Sequence, residues 1–149
     1  MTTIYTIGHS TRTEEEYLRV LKAHEIALLA DIRSFPMSRR LQHFNREHLE
    51  QLLPAHGIEY RWIPHMGGRR KPQPGESPNV ALRSDSFRNY ADYMLTDDFQ
   101  RAAADLLQMA QTMRVAYMCA ERMYFQCHRM LVSDYYSAHG NQVDRKSVV

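Results

Sequence analysis

Short apolar runs recur along the chain between amphipathic segments, so the spacing of hydrophobic positions switches repeatedly between the strand and helix periods. Ile4-Tyr5-Thr6-Ile7 alternates and is rich in β-formers, predicting a first strand that ends in Gly8-His9-Ser10-Thr11. Thr13 with Glu16 is a capping-box pattern, and Tyr17, Leu18 and Leu21 follow at helical spacing, with the helix ending near His24. Residues 26–32, IALLADI, form a nearly unbroken apolar run, as in a strand covered on both faces. It empties into Arg33-Ser34-Phe35-Pro36, where Pro36 blocks continuation. Asn45 is the expected N-cap of a helix through Leu49, Leu52 and Leu53 that stops at Gly57, and residues 58–63 read as a third strand ended by Pro64.

A stretch rich in Gly, Pro and Arg, about residues 64–85, then carries no pattern of its own, as expected of a lid or a binding loop. Phe87, Tyr90, Tyr93 and Met94 resume the helical spacing, and Thr96-Asp97-Asp98 reads as the cap and acidic first turn of a helix with Ala103, Leu106, Leu107 and Ala110 inward. Residues 115–118 make a fourth strand. A last helix is expected from about Cys127 to His139, with Leu131, Tyr135 and Ala138 inward and Gly140 beyond its end, and the tail QVDRKSVV is a candidate weak strand. Strand–helix alternation of this kind predicts an α/β fold: a single three-layer domain over residues 1–149, with a mostly parallel sheet of four to five strands and helices on both faces. In such a sheet the strands end at one edge. Gly8-His9-Ser10, Arg33-Ser34, Pro64-His65 and Cys119-Ala120-Glu121 are therefore expected to converge there.

Composition and charge add a partner class. A chain of 149 residues, 44% of them hydrophobic, suffices for one domain with a real core, and no apolar run approaches the length of a membrane span. The start, MTTIYTIGHS, lacks the basic and apolar regions of a secretory signal, and two cysteines without an export signal predict a reducing, cytoplasmic setting. Net charge is only +2, but residues 33–71 hold eight Arg or Lys against three Glu, a local excess of positive charge that fits an anionic partner such as a phosphate, a nucleotide or a nucleic acid. A solvated arginine-rich surface is the plainer alternative. Neither a cofactor nor an oligomeric state follows from the sequence.

The candidate chemistry sits largely in residues 115–131, VAYMCAERMYFQCHRML, which hold both cysteines. Cys127 near a helix start, followed by His128 and Arg129, is in a setting that lowers a thiol pKa and makes a nucleophile. Cys119 at a strand end is either its resolving partner or a core residue. A structural disulfide is another option. So is a metal site shared with His9 or His65, although the C-x7-C spacing matches no zinc motif, so no metal ligand is assigned. His128, next to Cys127, is expected to point about 100° away on a helix, which leaves His9 as the better acid–base group. Glu121 is expected to orient an arginine or act as a base, with Arg33 its natural partner. Ser10, Arg33, Ser34, Arg39, Arg40, His65, Arg69 and Arg70, together with His128 and Arg129, suit an anion, and Gly67-Gly68 would let backbone N–H groups approach it.

Through TIGHST, LLADIRSFPMSRR, Phe44-Asn45, the MGGRRKP loop, FRNYADYM and MCAE…CHR, in this order over nearly the whole chain, the sequence resembles the domain of unknown function 488 family of bacteria and archaea. The resemblance implies an α/β fold of about this size and no established activity. The chain departs from that pattern at QVDRKSVV, where a more apolar last strand is expected. A weaker similarity runs to rhodanese-like domains, through Asp31-Ile32-Arg33 and a cysteine at a strand end. The segment after Cys119 has no glycine, carries Met123, Tyr124 and Phe125, and delays the helix, so sulfur transfer is not carried over. Two functions remain from these residues. One is an enzyme-like domain that binds an anionic ligand at the sheet edge, with nucleophilic or redox cysteines, of which Cys127, Cys119, His9 and Glu121 would be catalytic. The other is a nucleic-acid-binding or regulatory module with structural cysteines.

Overall fold

The computed structural model describes residues 2–121 and 127–144. Among the described residues five strands and five α-helices follow in the order β1 (Thr3–Gly8), α1 (Glu14–Ala23), β2 (Leu28–Asp31), α2 (Arg46–Ala55), β3 (Glu59–Trp62), α3 (Asp85–Tyr93), α4 (Asp97–Ala110), β4 (Val115–Cys119), α5 (Arg129–Ala138) and β5 (Gln142–Asp144). All strand pairings are parallel, in the order β3-β2-β4-β1-β5. The sheet is therefore the parallel, doubly covered one expected, with the fifth strand formed on Gln142–Asp144 beside β1. The tail beyond Asp144 and the bulky segment 122–126 lie outside the described residues.

The two faces of the sheet carry separate cores. Tyr17, Leu18 and Leu21 of α1 and Leu49 and Leu53 of α2 pack on Ile7, Leu29, Ala116 and Met118. On the other face Tyr90 and Tyr93 of α3, Phe99, Ala103 and Leu106 of α4, and Val132 and Tyr136 of α5 pack on Ile4, Leu28, Ala30, Val115 and Tyr117. Residues of β2 and β4 alternate between these cores and are buried throughout, which is why their sequence reads as continuous rather than alternating. Local signals set the helix starts. Thr13 and Glu16 form the reciprocal capping box on α1, and Thr96 caps α4 through its side chain. Asn45 precedes α2 as expected, but its side-chain oxygen accepts from the Ser38 N–H at 2.6 Å and holds the preceding loop instead of the helix.

α5 corrects the expected register. It begins at Arg129, two residues late, and buries Arg129, Val132, Ser133 and Tyr136 instead of Leu131, Tyr135 and Ala138. The two faces differ by a single step around the helix. Arg129 decides between them, because its guanidinium is drawn under the sheet edge and carries Val132, Ser133 and Tyr136 inward with it.

The order of the strands locates the site. β1 connects to α1 on one face of the sheet, while its neighbour β4 leads towards α5 on the other. Connections that leave adjacent strands in opposite directions open a crevice at the strands' carboxyl ends, where ligands of α/β folds bind. Here that crevice lies between Gly8 and Cys119, which are paired in register.

Candidate functional site: a buried dithiol under a basic cleft

The β1–β4 ladder continues past the strands, with His9 N–H donating to Cys119 C=O and Ser10 N–H to Ala120 C=O, each at 3.0 Å. This close approach requires Gly8: a Cβ there would lie 1.5 Å from the Glu121 carbonyl oxygen. The backbone thus turns at Cys119 with its thiol held in the crevice. Cys119 Sγ and Cys127 Sγ lie 2.7 Å apart, in contact and beyond the bonded S–S distance of about 2.05 Å. Cys119 is 3% exposed, whereas Cys127 is only part-buried and opens to the cleft above.

Arg129 builds the floor beneath them. It is 1% exposed, the largest fully buried side chain in the core. Its Nε donates to Cys119 Sγ at 2.9 Å, Nη1 to Thr6 Oγ1 at 3.0 Å and Nη2 to the Glu121 carbonyl at 2.8 Å. Its backbone N–H, the first of α5, donates to Cys127 Sγ at 3.3 Å. A negative charge on the pair therefore meets a guanidinium, an amide and a helix N-terminus.

These contacts divide the two thiols. The pKa of Cys127 is lowered to about 4, first by the hydrogen bond from Cys119, then, against the cost of burial, by a hydrogen bond and positive charge from His128 and by Arg129. Cys119 moves the other way. Burial, then the neighbouring sulfur, push its pKa well up and outweigh the pull of Arg129. These opposite shifts make Cys127 the more acidic sulfur of the pair and Cys119 the one that keeps its proton.

His128 is not the remote group expected of a neighbour on a helix, because Cys127 and His128 both precede α5. Its Nε2 donates to the Ile32 carbonyl at 2.7 Å, which fixes the orientation of the ring. Its ring lies against Gly68, where a Cβ would come within 2.5 Å of Nδ1. Gly67 is equally constrained, since its Cβ would lie 2.5 Å from Ser34 Oγ. The two glycines thus serve close packing of the loop on Ser34 and His128. Tyr90 and Tyr93, core residues as expected, pin the same loop through hydroxyl bonds to the Met66 and His65 carbonyls at 2.8 and 2.7 Å.

Above the thiols opens a cleft of about 520 Å³ whose wall includes Arg69, Arg70, Phe87, Tyr90, Cys127 and His128. Arg70 is held by the Gly67 and Pro64 carbonyls and lies 3.7 Å over the Tyr93 ring. Arg69 is exposed, its N–H donating to Ser34 Oγ and its guanidinium lying over Phe35. Among the described residues neither has a carboxylate partner.

Of the residues singled out in the sequence, Arg33, Ser34, Gly68, Arg69, Arg70, Cys119, Glu121, Cys127 and His128 line this cleft. His9 and Ser10 line an adjoining groove, and Arg129 and Gly67 lie beneath the surface. Arg39 and Arg40 are exposed and line neither space, and the His65 side chain faces a separate groove between β3 and α4.

One expected pairing changes. Arg33 pairs with Asp31 instead of Glu121, through Nη2–Oδ2 at 2.6 Å and Nε–Oδ1 at 2.8 Å, and also donates to the Phe44 carbonyl. Its charge is spent inside the fold. His9 is buried and stacked on Phe44 at 4.3 Å, its Nδ1 donating to the Ser10 carbonyl. Burial foremost lowers its pKa to about 4, so it stands neutral with its other nitrogen towards Arg33.

Asp31 and Thr6 are the site residues that sequence reasoning missed. The signal was a carboxylate inside an apolar run with an arginine two positions on, on the same side of a strand. Among the described residues no group of three or more His, Cys, Asp or Glu converges as metal ligands, and no helix is long and apolar enough to cross a membrane.

A model of the family described as domain of unknown function DUF488 matches residues 13–136. No curated protein and no solved structure matches the chain.

Proposed function

The chain belongs to the DUF488 family, and from that premise and the geometry of its two thiols we propose that it is a dithiol–disulfide oxidoreductase acting on an anionic substrate. The observation that carries this reading is the pair itself: two sulfurs 2.7 Å apart, Cys127 part-buried at the cleft, Cys119 buried beneath it with a guanidinium 2.9 Å away. A structural thiol pair has no need of that asymmetry.

In the forward half-reaction the Cys127 thiolate attacks a sulfur of a substrate disulfide, forming a mixed disulfide and expelling the other half as its thiolate. Cys119 then loses its proton to that leaving thiolate and attacks Cys127 Sγ. The substrate's remaining half departs as a thiolate, and the Cys119–Cys127 disulfide remains. Two electrons pass from the pair to the substrate. Arg129 stabilises the charge as it forms on Cys119, which is otherwise the costly step for so buried a thiol. Arg69 and Arg70 would draw and hold the substrate's carboxylate or phosphate groups. His9 and Arg33 support the site, and no proton transfer is assigned to them.

The test is a stoichiometric reaction with glutathione disulfide followed by mass spectrometry. Wild type should lose two hydrogens and release glutathione. Cys119→Ser should stop as a glutathione adduct on Cys127, and Cys127→Ser should not react. Arg69→Ala with Arg70→Ala should slow the reaction with this anionic disulfide more than with neutral hydroxyethyl disulfide. An adduct that collects on Cys119 instead would refute the assignment.

A further inference from the structure

Turnover needs a second half-reaction, because the Cys119–Cys127 disulfide must be reduced again. We propose that the exposed surface formed by residues 35–41 is the docking site of an acidic dithiol protein that performs this reduction, an inference that rests on the dithiol reading above.

Three observations carry it. First, Phe35 and Met37 are 65% and 77% exposed, Phe35 lining both the cleft and the groove beside it and Met37 the groove. The Met37 N–H donates to the Phe35 carbonyl at 2.8 Å, a tight turn that buries Pro36 and presents the two flanking side chains to solvent. Exposed apolar groups beside arginines have the composition of a protein interface, and a small anion would gain nothing from them.

Second, a groove of about 440 Å³, lined by Ser10, Phe35, Met37, Leu41 and Glu121 among others, runs up to the thiol cleft and shares Arg33, Phe35, Ala120 and Glu121 with it. A loop of a partner lying in this groove reaches the cleft that holds Cys127. Third, Arg69 lines the cleft, and Arg39 and Arg40 lie in the chain between Ser38 and Leu41 of the groove's lining; all three are exposed and without carboxylate partners among the described residues. Among the described residues Glu121 is the one carboxylate lining either space. The charge complement of this face is acidic. A nucleic acid would use the arginines, but Met37, aliphatic and exposed, has no role against a phosphate backbone.

The chemistry closes. A thiolate of the partner attacks Cys127 Sγ, the less buried sulfur, and the bond to Cys119 breaks with its electron pair left on Cys119. Arg129 Nε, 2.9 Å away, meets that charge until Cys119 takes up a proton. The partner's second thiol loses its proton to solvent and attacks the partner's own sulfur in the mixed disulfide. Cys127 is expelled as a thiolate, and the partner leaves as a disulfide.

The experiment follows reduction of the oxidised protein by two probes: an acidic thioredoxin as the dithiol protein and dithiothreitol as a small dithiol. At equal concentration thioredoxin should be faster by about 10-fold or more, with a rate that falls as salt rises. Met37→Ser and the pair Arg39→Glu with Arg40→Glu should each slow thioredoxin by about 10-fold and leave dithiothreitol unchanged. Thioredoxin no faster than dithiothreitol, or variants that reduce as wild type does, would overturn the proposal. So would Arg39→Glu with Arg40→Glu abolishing a salt-sensitive affinity for a duplex DNA oligonucleotide while thioredoxin is unaffected, which assigns the face to nucleic acid. If oxidation yields no Cys119–Cys127 disulfide for either probe to reduce, the dithiol reading itself has failed, and that outcome is distinct from the others.

Discussion

Cys127 should react with a disulfide probe at acidic pH, where an ordinary thiol is silent, and its pH profile should depend on Cys119. With a pKa of about 4 it is about 90% thiolate at pH 5, whereas a free thiol of pKa about 8.5 is about 0.03% thiolate there, a gain of about 3,000-fold. Nucleophilicity falls as basicity falls. A Brønsted coefficient of about 0.45 over about 4.5 pKa units takes back a factor of about 100, leaving a net advantage of about 30-fold. At pH 7 the gain in thiolate fraction is only about 30-fold, and the same loss makes Cys127 about threefold slower than a free thiol. The shape of the profile, not the rate at neutral pH, is therefore the diagnostic. The assay is the release of pyridinethione from dithiodipyridine between pH 3.5 and 8, with free cysteine alongside. The largest cause of the low pKa is the hydrogen bond from Cys119. Cys119→Ala should therefore move the inflection up by about one unit or more, and Cys119→Ser, which keeps an O–H donor, should move it less. A wild-type inflection above pH 7, or a Cys119→Ala profile that superimposes on it, would refute the thiolate–thiol assignment.

Two further predictions concern the scaffold. His9 stays neutral in the fold with a pKa near 4, while in the unfolded chain it binds a proton below about 6.5; stability should fall as pH drops between those values, by about 3 kcal/mol in all, and urea unfolding of His9→Gln should lack that component. Asp31→Asn leaves the buried Arg33 without its carboxylate and should cost about 3–5 kcal/mol in denaturant midpoints, while adding Arg33→Met should restore part of the loss. A double variant less stable than Asp31→Asn alone would contradict the pairing.

Much of this molecule is legible in local pattern. The capping box at Thr13 and Glu16, the unbroken apolar run of β2 and the Thr96 cap before α4 each record a short-range constraint, and each element formed where its pattern stands. The α5 face was not legible, because Val132 and Tyr136 compete with Leu131 and Tyr135 for the inner side with nearly equal hydrophobicity. Only the long-range fit of Arg129 beneath Thr6 and Glu121 separates them. The same holds for Arg33. A polar residue after a buried strand announces a site, but which acid it meets depends on strand register and side, and Asp31 on its own strand stands closer than Glu121 on another.

The sequence by itself determined the alternation of strands and helices, hence a parallel sheet whose carboxyl edge gathers the reactive groups, because periodicity and capping act over a few residues. Tertiary structure decided what those groups are to one another. The β1–β4 pairing through Gly8 and the burial of Arg129 bring Cys119 and Cys127 to 2.7 Å and give them unequal pKa values. Desolvation and contact distance have no counterpart in a linear pattern.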